Sequence, residues 1–379
     1  MSKLKLITSG IVFAIIIGFG IFGLARNRQV PLQQTSNVPV TAENLIKQSA
    51  KDMIDPKASP AATVNPSQIP EICTGETTFN CYEDFYNGLV KSKGVAAAFT
   101  DLKQRYDTNA YVKSQCHPIT HVIGSAATQI YRDVGTAYTK GDSFCWSGYY
   151  HGVMEGVVGQ ITTADLPGKM NNICDKVPGK ASYSFDYYNC VHGLGHGVMA
   201  ITENELFDSL KLCDNLQGGW EQSSCHGGVF MENVIIDNKN HFTKFLKPSE
   251  PLYPCTAVDD KYKSTCYLMQ TSYMLKVTNS DFAKVFDLCS TVGNFASICY
   301  QSLGRDASGR SISNVEATKA TCYLGQGYDQ RSNCIIGAVK DFISYYHSDV
   351  QGKQLCSALE EQLQQICFDT GEGYYRNFK

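Results

Sequence analysis

The sequence predicts an all-α fold: a superhelical array of disulfide-stapled αα-hairpin repeats, preceded by one N-terminal transmembrane helix. Three observations carry this expectation. All sixteen cysteines lie at or after Cys73 and fall in order into eight neighbouring pairs. The second members of the last six pairs recur at near-constant intervals. None of the segments between them shows the polar/apolar alternation of a half-buried strand.

The chain opens with a short tail, residues 1–5, expected to be cytoplasmic. Residues 6–25 are uncharged and mostly apolar, and at about 1.5 Å per residue such a run spans the roughly 30 Å hydrocarbon core of a bilayer. A secretory apolar region is usually shorter, about 7–15 residues, so an uncleaved signal-anchor is expected, with Gly23-Leu24-Ala25 as the rival cleavage site. Flanking charge does not orient the anchor, because Lys3 and Lys5 are balanced by Arg26 and Arg28. Disulfides do, since they require an oxidising space. The chain is therefore read as a single-pass protein of the cell membrane with its C-terminal domain extracytoplasmic.

Residues 26–70 hold Pro31, Pro39, Pro56, Pro60, Pro66 and Pro70 among Gln, Ser, Thr, Asn and Ala. Too few large apolar side chains are present to offset the ordering entropy, and a flexible Pro-rich stalk is expected.

Residues 71–379 form the expected Cys-rich helical-repeat domain. Neighbour pairing gives Cys73–Cys81, Cys116–Cys145, Cys174–Cys190, Cys213–Cys225, Cys255–Cys266, Cys289–Cys299, Cys322–Cys334 and Cys356–Cys367. From Cys190 to Cys367 the second members follow at intervals of 35, 41, 33, 35 and 33, a repeat of about 34 residues. That period resembles tetratricopeptide-type helical hairpins in period only, without their diagnostic Trp, Leu-Gly and Tyr positions. First cysteines are expected to end one helix (203–213, 281–289) and second cysteines to begin the next, with Thr202 and Glu205 as a capping box. A bridge closing a loop of this size adds about 3 kcal/mol in the chain-entropy model.

Six of the eight histidines cluster in the first half of the array, about residues 110–235: His117, His121, His151, His192, His196 and His226. His117/His121 and His192/His196 are i,i+4 pairs, one turn apart on a helix face, a spacing that suits ligation of one ion or of two neighbours. Glu155, four residues after His151, and Glu232 are candidate bridging ligands or general bases for a metal-bound water. The repeat supplies its own control. One residue after Cys266, Cys299, Cys334 and Cys367 stand Tyr267, Tyr300, Ile335 and Phe368, and six after stand Ser272, Arg305, Lys340 and Gly373. The hairpin can be built without histidine, so the scaffold half, about 236–379, separates structural need from chemistry.

An imidazole and carboxylate set suits Zn, Cu, Fe or Mn rather than Ca or Mg. Cys225-His226-Gly227 and Cys145-Trp146-Ser147-Gly148 resemble the zinc-ligand motifs of lanthionine cyclases over two tripeptide-sized patches, which would imply thiolate ligation; a fully paired, extracytoplasmic cysteine set argues against it. No Cys-x-x-Cys-His occurs, which leaves non-covalent bis-histidine haem as a secondary cofactor reading. The function expected is a membrane-anchored metalloprotein, a metal-dependent hydrolase or oxidoreductase. The alternatives are a non-enzymatic scaffold that binds a protein or peptide partner in its groove, or a metal capture and delivery protein. Thirty-three basic against 36 acidic residues leave no electrostatic footprint for nucleic acid. His241 and His347 are expected at the surface, Arg305-Asp306 as a surface pair, and Asp186, Tyr187, Tyr188, Tyr149 and Tyr150 around the metal ligands or in packing.

Overall fold

The described residues of the computed structural model are 72–73, 78–131, 133–142, 144–145, 147–234, 243–311 and 314–378. The expected tail, anchor and stalk, and His241, lie outside them. No helix among the described residues is long and apolar enough to cross a membrane.

Helices follow one another with no strand among the described residues: α1 (Thr78–Lys93), α2 (Val95–Thr108), α3 (Ala110–Ser114), α4 (Cys116–Ile130), α5 (Val134–Tyr138), α6 (Gly148–Val158), α7 (Leu166–Ile173), α8 (Phe185–Ile201) and α9 (Leu206–Cys213). They continue as α10 (Gly219–Val234), α11 (Asp260–Val277), α12 (Phe282–Ser290), α13 (Ala296–Arg310), α14 (Val315–Cys322), α15 (Tyr328–Tyr346), α16 (Val350–Ser357) and α17 (Glu361–Phe378). Asn109, Asp133, Ser184, Asp281 and Asn314 start their helices by accepting the backbone N–H three residues ahead.

One set of helices packs in succession: α4 on α6, α6 on α8, α8 on α10, α10 on α11, α11 on α13, α13 on α15 and α15 on α17. The buried faces carry apolar side chains at helical spacing, such as Ile119 and Ile123 or Leu194 and Val198, with Val153, Met154, Val229 and Phe230 also buried. Shorter helices sit against the member that follows them: α9 on α10, α12 on α13, α14 on α15 and α16 on α17. Disulfides tie those four pairs through Cys213–Cys225, Cys289–Cys299, Cys322–Cys334 and Cys356–Cys367. Cys73–Cys81, Cys116–Cys145, Cys174–Cys190 and Cys255–Cys266 complete the set, and no cysteine is free.

Two local expectations need correction. Thr202 and Glu205 form no capping box: Thr202 closes α8 and its hydroxyl bonds the Val198 carbonyl and Ser209, while Glu205 precedes α9 and takes Lys244. Except for Cys145, which lies in the turn ahead of α6, the second cysteines lie inside their helices rather than at the start. Gly218, at φ 112°, reverses the chain soon enough for α10 to begin six residues ahead of Cys225.

Candidate metal centre

Four successive helices carry the candidate ligands: His117 and His121 on α4, His151 and Glu155 on α6, His192 and His196 on α8, and Glu232 on α10. Their close approach depends on glycine. A Cβ on Gly152 of α6 would overlap the His121 carbonyl, and one on Gly228 of α10 would overlap the His192 carbonyl. The two contacts are equivalent, so His121 occupies in its helix pair the place His192 occupies in the next.

The side chains converge into three overlapping groups able to hold a metal ion: His117, His121 and His151; His151, His192 and His196; and Glu155, His196 and Glu232, with ligand atoms in each group within 4.8 Å of one another. The second group is sealed, at 3%, 1% and 0% exposure for His151, His192 and His196. The edge at His121 and Glu155 is more open, with side-chain exposures of 13% and 26%.

Hydrogen bonds set the ring orientations. His117 Nδ1 donates to the Cys145 carbonyl at 2.8 Å. The carboxylates of Glu155 and Glu232 accept from His121 Nδ1 and His196 Nδ1, at 2.7 Å and 2.6 Å. His192 Nδ1 lies 3.2 Å from the Tyr188 hydroxyl, and the Tyr188 ring stacks on the imidazole. The Nε2 atoms turn inward, 3.1 Å apart in His117/His121 and 3.4 Å apart in His192/His196. Two nitrogens bound tetrahedrally to one ion at about 2.0–2.1 Å would be about 3.3 Å apart. An outer acceptor that fixes the tautomer and leaves Nε2 bare is the usual arrangement around histidine-bound metals. The donor set therefore fits a metal ion.

Burial disfavours the charged imidazoles. It is the main cause that pushes His117 down to about 3, with the like charge of His121 adding to it against the Cys145 hydrogen bond. His151 and His192 are pushed well below the ordinary histidine value by burial and then by neighbouring imidazoles. The rings stay neutral, the form that binds metal. His151 is central: its ring centroid lies 5.5 Å from His117, 5.4 Å from His121 and from His192, and 4.2 Å from His196. Its Nδ1 is buried with no hydrogen-bond partner.

Several residues fall elsewhere than their sequence pattern suggests. His226 does not join the centre; its Nε2 donates to Asp214 at 3.1 Å, and its ring meets the Tyr262 edge. Asp214 also accepts from Lys261 and Tyr262, which makes a polar anchor between the α9 end and α11. Glu155 shares the i,i+4 spacing with His151 but bonds across to His121 on α4. Arg305 and Asp306 are not a surface pair: their side chains are 23% and 11% exposed, and they knit α13 to Thr271, Ser272 and the Leu268 carbonyl of α11. Of the aromatic residues expected around the ligands, Tyr188 does stand against His192, whereas the Cys145 carbonyl is a partner that spacing does not reveal. The Cys145 contact has one local sign, the left-handed backbone at Cys145 and Ser147, both φ 60°, which turns the chain into α6. His347 is exposed, as expected, and its ring meets Phe185. Thiolate ligation is overturned because every cysteine is in a disulfide. No family model matches the chain, and no curated protein or solved structure matches it.

Proposed function

We propose that this chain is a membrane-anchored, extracytoplasmic metalloprotein that holds a transition metal through His117, His121, His151, His192 and His196. The observation that carries the reading is the pair of inward Nε2 contacts, each between rings whose outer nitrogens have hydrogen-bond partners. The Nε2 atoms of each pair face one another at the spacing that two ligands of one cation adopt. The extracytoplasmic setting is supported by eight disulfides in the ectodomain and by the apolar run at 6–25. The helical packing order supports a superhelical repeat of about 34 residues.

Glu155 and Glu232 hold imidazole N–H groups, and a general-base role would compete with those hydrogen bonds. This makes the carboxylates positioning residues rather than general bases. Metal capture without catalysis is a second reading, favoured by the near-complete burial of His192 and His196. The scaffold role has the exposed aromatic residues Tyr183 and Tyr328 in its support.

The test is elemental analysis of the full chain, purified in detergent under oxidising conditions and reconstituted separately with Zn, Cu, Fe and Mn. Stoichiometric metal that His192→Ala/His196→Ala reduces is expected. A wild type that retains no stoichiometric ion overturns the reading and leaves the scaffold.

A further inference from the structure

We infer that His151 is shared between two metal ions, one held with His117 and His121 and the other with His192 and His196, each ring nitrogen of His151 facing one ion. The inference rests on the metalloprotein reading above and adds its nuclearity and its bridge. The first support is grouping: the imidazoles form two trios whose common member is His151. Position is the second, since the ring stands between the two i,i+4 pairs, with centroid distances of 5.4–5.5 Å to three of their rings and 4.2 Å to the fourth.

The third support is hydrogen bonding. His117, His121, His192 and His196 each have Nδ1 engaged, by Cys145, Glu155, Tyr188 and Glu232 respectively. One nitrogen remains on each for an ion. The protein engages His151 differently: its Nδ1 is buried with no hydrogen-bond partner, although such atoms are almost always paired in folded proteins. A terminal ligand would be expected to have that nitrogen hydrogen-bonded, as the other four do. A bridging imidazole uses both.

Charge balance is consistent. When the second ion binds, the remaining ring N–H of His151 gives up its proton to solvent, and the resulting imidazolate, with Glu155 and Glu232, places three negative charges around two divalent cations. No electron is transferred in this step.

Titration of the full chain in detergent with Cu(II) tests the bridge, read by elemental analysis and by electron paramagnetic resonance. Two coppers per chain are expected, with the second equivalent abolishing most of the signal of the first, because an imidazolate couples the two spins. His151→Ala should restore the full uncoupled signal for every copper retained. His192→Ala, which disables one trio, should leave one copper with full intensity. Saturation at one copper per chain, or two coppers with undiminished signal in the wild type, overturns the bridge while leaving the metalloprotein reading in place. Failure to retain any copper, zinc, iron or manganese overturns both.

Discussion

His117 Nε2 and His121 Nε2 lie 3.1 Å apart while the Nδ1 of each ring is hydrogen-bonded to an oxygen, the Cys145 carbonyl and the Glu155 carboxylate. His117 is held neutral by burial and donates from Nδ1, so its Nε2 has no proton and presents a lone pair toward His121, free to accept a proton or a metal ion. The contact persists in the fold because Gly152 and the Cys116–Cys145 bridge place α4 and α6 independently of the rings.

If the carboxylates polarise their imidazoles, neutralising them weakens the metal. Glu155→Gln and Glu232→Gln keep shape and a hydrogen-bond acceptor but lose the charge. Each should lower metal affinity about 10–100-fold, with little change in far-ultraviolet circular dichroism. Competition with a chromophoric chelator measures this; affinity within a factor of two of wild type in both variants would remove the carboxylates from the site.

The disulfides divide into those near the centre and those remote from it. Cys116–Cys145 fixes the residue whose carbonyl holds His117, whereas Cys356–Cys367 joins α16 to α17. Double serine substitution of either pair should cost about 2–5 kcal/mol of stability. Only Cys116→Ser/Cys145→Ser should also weaken metal binding at a temperature where both variants are folded. Equal metal affinity in the two would detach the Cys145 carbonyl from the centre.

Helical class and disulfide richness were legible because cysteine order and apolar spacing are properties of the chain alone. The convergence of His117, His121, His151, His192 and His196 was legible too, since helices that follow one another in packing present matching faces. Register was not: it is set where Gly152 and Gly228 admit a neighbouring backbone, and a glycine in sequence does not name the carbonyl it will meet. His226 follows a cysteine as His117 does, yet Asp214, Lys261 and Tyr262 offer it a polar anchor that only the fold assembles. Arg305 and Asp306 look like a surface pair in sequence because their partners Thr271 and Ser272 belong to another helix.

The glycine contacts themselves are testable. Gly152→Ala and Gly228→Ala set a methyl against the backbone of the facing helix, where no side chain can move aside. Overpacking of this kind costs about 1–3 kcal/mol, and both variants should also bind metal more weakly. Gly88→Ala on α1, where a Cβ meets nothing within 4 Å, is the control, and should gain about 0.5–1 kcal/mol from helix propensity. Thermal melts of the three variants decide; a neutral Gly152→Ala would show that α4 and α6 are not held at this distance.

Stability of the metal-free protein should fall as pH falls below neutrality. Burial pushes His117 down to about 3 and His151 and His192 well below the usual value, while the unfolded chain protonates near 6.5. Below about 6.5 the unfolded state therefore binds more protons than the folded one, and stability declines until the folded pKa values are reached. Each such group contributes up to about 1.4 kcal/mol per pH unit within that window. Asp341 acts in the opposite direction. Burial raises it to about 6 from 3.8, so its folded form binds the extra proton and stability falls as pH rises through that interval. Comparing wild type with His151→Leu between pH 6.5 and 4.5 cancels the Asp341 contribution and isolates one imidazole. The variant's denaturation midpoint should depend less steeply on pH than that of the wild type, and saturating metal, which binds only neutral rings, should steepen the wild-type dependence and raise its midpoint most near neutrality. Parallel pH profiles for the two metal-free proteins would show that His151 is protonated in the fold.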